Sequence, residues 1–313
     1  MTSLTISPPY LSICAEAGRT PLDIPEADFI SAYKTHGALL LRGFVLDLDV
    51  FADFTRRYCS GSVFNESAGR EVLNPEQNIQ TVNIGAQAFP LHPELSREPW
   101  KPDICFFWCM SPPSNGGETT VCDGVEIVRS LPREAFDALR TRRLRYTLPA
   151  TPAALQFWLG SAEPDDDILA DPPSQCPYEF NRMNGRIMRS FTRPALHKPM
   201  FSDDPAFGNF LLFGRYLNGV RHFPTFENGE QVSDALLGMV NSASEPLTVA
   251  HDWRQGDVLI LDNTRFMHGR RAIAEVSERR IATYFGYLRF AQPDAEEGVD
   301  PPWRRGNFRP PPN

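Results

Sequence analysis

His92-Pro93-Glu94 sets an imidazole and a carboxylate two residues apart within the stretch Phe89 to Asp123, FPLHPELSREPWKPDICFFWCMSPPSNGGETTVCD. On an extended segment, residues i and i+2 point to one face, so the pair is the beginning of a metal site. One more histidine would complete the facial triad typical of non-haem Fe(II) sites. Among the remaining histidines, His36 sits at a helix end and suits a dipole partner, while His197, His222 and His251 adjoin loop-like sequence. His268 follows an apolar strand (DVLILD) and the turn Asp262-Asn263-Thr264, so a rigid element aims it. It is the expected third ligand. Arg280 opens another strand shortly afterwards. A guanidinium there would meet the far carboxylate of a 2-oxo acid such as 2-oxoglutarate through two parallel charge-assisted hydrogen bonds. The Thr119 hydroxyl in GGETT is a candidate for a further bond to that carboxylate, and Arg270 is a candidate contact to a substrate carboxylate, with a surface position as its alternative. Phe106, Phe107 and Trp108 share a short apolar run, where core packing is expected for two of the three.

The elements that must position these groups are mostly strands. IQTVNIG, the segment holding His92 and Glu94, ICFFWCM, ETTVC, DVLILD, RFMHGR and RIATYFGYLRF are separated by loops rich in Pro, Asn and Gly. Strands are also expected at Ala38 to Phe44, Arg186 to Arg193 and Leu211 to Tyr216. Helices are expected at residues 25–36, at 49–59 (Phe51, Phe54 and Tyr58 on one face), from Asp123 to about Arg142, and near Val232 to Asn241. The reading is one domain over residues 1–292. Residues 149–179, with prolines and an acidic cluster, form either a lid or a mobile loop. A Pro-rich tail at 293–313 is expected to be poorly ordered unless it docks on a partner.

Composition narrows the partners. A chain of 313 residues with 42% apolar residues can bury a large core, and a formal charge of -8 argues against nucleic acid or an anionic membrane. No apolar run is long enough to span a bilayer, and the N-terminus lacks the features of a signal peptide. Six cysteines without a CxxC pair suit reduced thiols and a cytoplasmic setting.

From ALLLRGF to RRIATYFGY the sequence resembles the TauD/TfdA-like Fe(II)/2-oxoglutarate-dependent dioxygenases, most closely the syringomycin-type amino-acid hydroxylases. The likeness is carried by LHPE, the NGGETTVCDG turn, GDVLILDN, MHGR and RRI. It implies a mainly β fold with flanking helices, a double-stranded β-helix (jelly roll, cupin-like). It also implies His92, Glu94 and His268 as iron ligands, with Thr119 and Arg280 holding 2-oxoglutarate. Arg279 competes with Arg280, which is favoured because it directly precedes the motif's Ile. Glu94 stands where many relatives have Asp, as in the syringomycin-like and clavaminate-like branches. Its presence disfavours halogenation. Tyr284 stands where taurine-type enzymes carry another arginine, which disfavours a sulfonate substrate.

The implied reaction consumes O2 and converts 2-oxoglutarate to succinate and CO2 while hydroxylating a C–H bond of a small amino-acid-like molecule, free or tethered to a carrier protein. Desaturation, epoxidation or cyclisation are alternative outcomes. A zinc hydrolase or lyase would use the same ligand types, but leaves Arg280 and Thr119 without a role. A silent jelly-roll binding module leaves the triad unexplained. Oligomeric state stays open.

Overall fold

A computed structural model describes residues 3–311 apart from 8, 68, 84, 293 and 299. Two sheets face each other. The larger has ten strands, and its centre runs Ala38–Arg42, Val258–Asp262, Ile104–Ser111, Arg280–Leu288 and Cys59–Val63. The smaller has four, in the order Val249–His251, Thr119–Asp123, Phe266–Arg270 and Phe89–His92. This is the expected jelly roll. The alternation of strand side chains divides the core. Phe107, Phe285, Val121 and Met267 fill the space between the sheets. Phe106 and Trp108 point the other way, into a second cluster with the helices Glu26–His36 and Leu48–Tyr58. Of the three aromatics in the apolar run, Phe106 and Trp108 are therefore outer core, and Phe107 faces the metal-ligand candidates.

The helices begin and end where the sequence provides caps. Asp47 accepts from Val50 N, and Gly37 closes the preceding helix in a left-handed conformation. The stretch from Asp123 splits into Gly124–Ser130 and Arg133–Leu139, and a further helix occupies Asp234–Ser244. Leu211–Tyr216 is a correction, being a short helix and not a strand. An apolar run of that length has no decisive period, and it packs as a helix against Phe89–His92. IQTVNIG pairs only over Ile79–Thr81, and its Ile84 lies outside the described residues.

A third sheet, Glu179–Met183, Arg186–Pro194, Arg143–Pro149 and Thr225–Phe226, lies beside the jelly roll. Residues 149–179 lead into it and carry two capped helices, Pro152–Leu159 and Asp166–Ala170. Trp158 from the first is buried and stacks on Trp100 at 6.1 Å. The lining of the metal cavity contains no residue from 149–179. The tail also departs from expectation, because its described residues are docked. Trp303 and Phe308 are buried, Asn307–Phe308 pairs in parallel with Ser62 and Val63, and Arg304 holds the buried Asp103 at 2.8 and 2.9 Å. Two aromatics and one ion pair outweigh the proline-rich composition.

Candidate active site

The strand register brings the first two ligands together. His268 is the direct cross-strand partner of His92, a spacing that sets side chains side by side, and the two rings lie 4.6 Å apart. Glu94 arrives differently. The strand ends at His92, and Glu94 sits in the turn that follows, so it is not on the extended segment the spacing suggested. The buried Asn263 fixes that turn: its Oδ1 accepts from Glu94 N at 2.7 Å, and its Nδ2 donates to Glu94 O at 3.1 Å. Ligand atoms of His92, Glu94 and His268 all lie within 4.8 Å of one another.

Their surroundings select how each side chain presents itself. His92 Nδ1 lies 2.8 Å from the Pro90 carbonyl, which can only accept, so the proton sits there and Nε2 is left as a metal donor. Burial and the neighbouring His268 pull His92 down to about 4, which keeps it neutral at physiological pH. Burial pushes Glu94 up, but the Arg70 guanidinium, with the facing His268 and His92 rings, outweighs it and holds the carboxyl at about 2. Asn65 Nδ2 donates to Glu94 Oε1 at 2.5 Å, while Oε2 faces His268 Nε2 at 3.5 Å. One carboxylate oxygen is thus tethered and the other turned toward the histidines. Phe213 packs on the His92 ring and Phe107 on that of His268, at 4.5 and 4.9 Å.

Thr119 and Arg270 are cross-strand partners in the same sheet, and both line a cavity of about 170 Å3 together with the triad. Thr119 Oγ1 receives the Trp253 indole N–H at 3.1 Å and Arg279 NH2 at 3.4 Å. With its lone pairs so engaged, the hydroxyl proton is available to an acceptor in the cavity. Arg279 also donates from Nε to Gly117 O at 2.9 Å. Among the described residues no carboxylate pairs with it. Burial and the neighbouring Arg270 pull its guanidinium down to about 9. The glycine pair makes this possible. Gly116 and Gly117 both have φ of 72°, and a Cβ on Gly117 would come within 3.1 Å of Arg279 Cδ.

Of the two neighbours, Arg280 is the one that lies away from the cavity. It is exposed and donates to both oxygens of Glu71, at 2.9 and 3.0 Å. It does not line the cavity, whereas Arg279 does. Strand alternation separates the two: Ile281 and Phe285 face the space between the sheets and Ala282 and Tyr284 the outer cluster, so Arg279 shares the inward parity and Arg280 the outward one. Arg270 does reach the cavity wall, but its terminal nitrogens are committed to the Asn83, Gly85 and Gln87 carbonyls; only Nε is left without a partner. The other histidines are engaged elsewhere: His197 with Thr264 O at 2.6 Å and His251 with Tyr10 and Asp257. Asn65, Arg70, Trp253 and Asn263 are site residues that sequence reasoning passed over. Asn263 alone had a visible signal, its place in a buried turn before His268.

The model of the taurine catabolism dioxygenase TauD, TfdA family matches residues 9–284. The chain belongs to that family. It is an iron(II)- and 2-oxoglutarate-dependent oxygenase, and the residues present fit both groups: a triad with one open side, and a buried uncompensated guanidinium beside an undirected hydroxyl. Tyrosine isonitrile desaturase of Pseudomonas aeruginosa is 26% identical over 282 residues, 87% of this chain and 86% of that protein. Pentalenolactone F synthase of Streptomyces avermitilis is 24% identical over 214 residues, 66% of this chain; the match spans 63% of the synthase. The fold is shared with PvcB of Pseudomonas aeruginosa (TM-score 0.57, 16% identity, 91% of this chain and 90% of that one). It is shared too with AAD-2, solved with Mn(II) and N-oxalylglycine (TM-score 0.58, 14% identity, 94% and 100%). No helix among the described residues is long and apolar enough to cross a membrane.

Proposed function

We propose that the enzyme oxidises an unactivated C–H bond of a small amino-acid-like molecule in specialised metabolism, with succinate and CO2 as co-products. His92, Glu94 and His268 would hold the iron. Thr119 and Arg279 would bind the distal carboxylate of 2-oxoglutarate, the place first given to Arg280. Bound iron supplies the activation of O2 coupled to decarboxylation of the 2-oxo acid. The protein orients the ligands through Asn65, Asn263 and the Pro90 carbonyl, and Phe107 and Phe213 keep water off the imidazoles. Arg270 would hold the Asn83, Gly85 and Gln87 carbonyls beside the cavity, with Nε as its one remaining donor toward a ligand. A cytoplasmic location fits the six free thiols.

The observation that carries this reading is the uncompensated Arg279 beside the triad, an anion site for which a zinc hydrolase or a silent scaffold has no use. Anaerobic titration with Fe(II) and then 2-oxoglutarate tests it. A weak visible charge-transfer band is expected in the wild type and lost in Glu94→Ala. Iron binding without the band refutes the co-substrate.

Hydroxylation is the first expectation for the outcome. Desaturation is the second reading, favoured by the similarity to tyrosine isonitrile desaturase over most of both chains. Product mass separates them: hydroxylation adds an oxygen, and desaturation removes two hydrogens.

A further inference from the structure

We propose that Arg70 binds the carboxylate of the primary substrate, which therefore enters as a free acid with an apolar body and not as a thioester on a carrier. This rests on the iron and 2-oxoglutarate reading above and adds the substrate's chemical class to it.

The argument starts from charge. The cavity lining contains Arg70, Arg97, Arg270 and Arg279, and Glu94 is its one carboxylate among the described residues. Arg97 is half-exposed and faces Glu98 at 3.6 Å, which leaves three interior guanidiniums against Glu94. A divalent metal and the two carboxylates of 2-oxoglutarate cancel each other, so an excess of about two positive charges stays in a poorly hydrated space, where unpaired charge is costly. Arginine cannot relieve this by losing its proton. Something anionic is missing.

Geometry decides which guanidinium meets it. Arg279 is aimed at Thr119, and the terminal nitrogens of Arg270 are spent on three carbonyls. Arg70 is different. Its Nε donates to Asn83 Oδ1 at 2.8 Å, and its guanidinium lies over Phe285 at 5.3 Å, so the group is held in place. NH1 makes only long contacts, 3.4 Å to Thr283 Oγ1 and 3.5 Å to Thr81 O. Among the described residues Nη2 makes no hydrogen bond; it forms an ion pair with Glu94 Oε1 at 3.7 Å, too long for a hydrogen bond. The side chain is nonetheless only 8% exposed. A rigid, buried guanidinium with unspent donors beside the metal ligands is built to take a carboxylate. Ser67, from the same inter-strand segment, also lines this side. Phe89, Phe210, Phe213 and Leu95 supply apolar surface for the remainder of the molecule.

The test uses protein loaded anaerobically with Fe(II) and 2-oxoglutarate. Perturbation of the charge-transfer band is titrated with L-phenylalanine, N-formyl-L-phenylalanine and 3-phenylpropanoate, each beside its carboxamide. The N-acetylcysteamine thioester of 3-phenylpropanoate stands in for a carrier-bound substrate. At least one acid is expected to bind about tenfold or more tightly than its amide and its thioester, a difference of about 1.4 kcal/mol. Arg70→Gln should abolish that preference, so that acid and amide bind alike; Arg70→Lys should recover part of it. Iron and 2-oxoglutarate affinities are titrated in each variant, so that an effect relayed through Glu94 is separated from one on the acid. The proposal falls if no acid outbinds its amide, if the thioester binds best, or if Arg70→Gln keeps the preference. Absence of the band in the loaded wild type would instead refute the iron and 2-oxoglutarate reading.

Discussion

A cleft of about 590 Å3 beside the third sheet and the cavity of about 170 Å3 between the jelly-roll sheets share Ser96 in their walls. The cleft is far roomier, yet its charges are answered. Arg143 pairs with Glu296, Arg304 with Asp103 and Glu297, and Arg193 donates to the Pro99 carbonyl. Its half-buried Lys101, pulled down to about 7 by desolvation and by Arg193, can shed its proton. The small cavity holds guanidiniums, which cannot, and too few carboxylates. Unmatched charge next to convergent metal donors, and not volume, marks the place built for ligands.

The strongest way to break this contrast is to remove the donors. His268→Ala or Glu94→Ala should reduce Fe(II) binding and turnover to background, measured by anaerobic titration and succinate release. Arg279→Gln should come next. It removes a buried charge-assisted contact of about 3 kcal/mol, so Kd for 2-oxoglutarate should rise by about a hundredfold. An affinity within threefold of wild type would return the small cavity to the status of ordinary interior.

How the site could be read in advance follows the same division. The triad was legible because histidine and glutamate beside strand patterns are few, and their chemistry restricts the combinations. Phe107 was legible only as one of three, because the face it takes depends on pleat parity. The choice between Arg279 and Arg280 rested on the motif's Ile, whereas the parity of Ile281 and Phe285 places Arg279 on the inward face. Asn263 and Asn65 were invisible as site residues, since their meaning lies in bonds to Glu94 across 169 and 29 positions. The tail was misjudged because its prolines dominate the count, while Trp303, Arg304 and Phe308 determine where it lies.

The larger cleft should answer in stability. Arg304→Gln leaves Asp103 buried without its guanidinium and should cost about 3 kcal/mol in urea unfolding, with the Kd for 2-oxoglutarate unchanged. A smaller effect comes from His197 on the cleft wall. Burial, with Lys101 nearby, pulls it down to about 3. Its folded pKa is below the unfolded value of about 6.5, so the unfolded chain takes the proton first. The stability is fully present above about 6.5 and is lost as pH falls toward 3. From pH 7 to pH 5 the loss from this group should be roughly 2 kcal/mol. His197→Gln should flatten that slope, read from urea midpoints at the two pH values.

The smallest effect belongs to Arg280, and it sharpens the contrast most economically. Arg279 and Arg280 differ by one position, yet one guanidinium enters the cavity and the other meets Glu71 at the surface. Both members of the surface pair are about half exposed, with side chains at 47% and 55%. Water screens such a pair, and its contribution to stability is about 0.5 kcal/mol. Arg280→Gln should therefore leave the charge-transfer band and the Kd for 2-oxoglutarate within about twofold of wild type, and lower the urea midpoint only slightly. Raising salt should shrink even that difference, because exposed ion pairs are screened within about a Debye length. If Arg280→Gln instead weakened 2-oxoglutarate and Arg279→Gln did not, the strand would have to be shifted by one residue in solution, which exchanges its two faces. His268 would keep its place, since its register is set by the other sheet, so an exchange of effects between the two variants would place the slip in the Arg280–Leu288 strand alone.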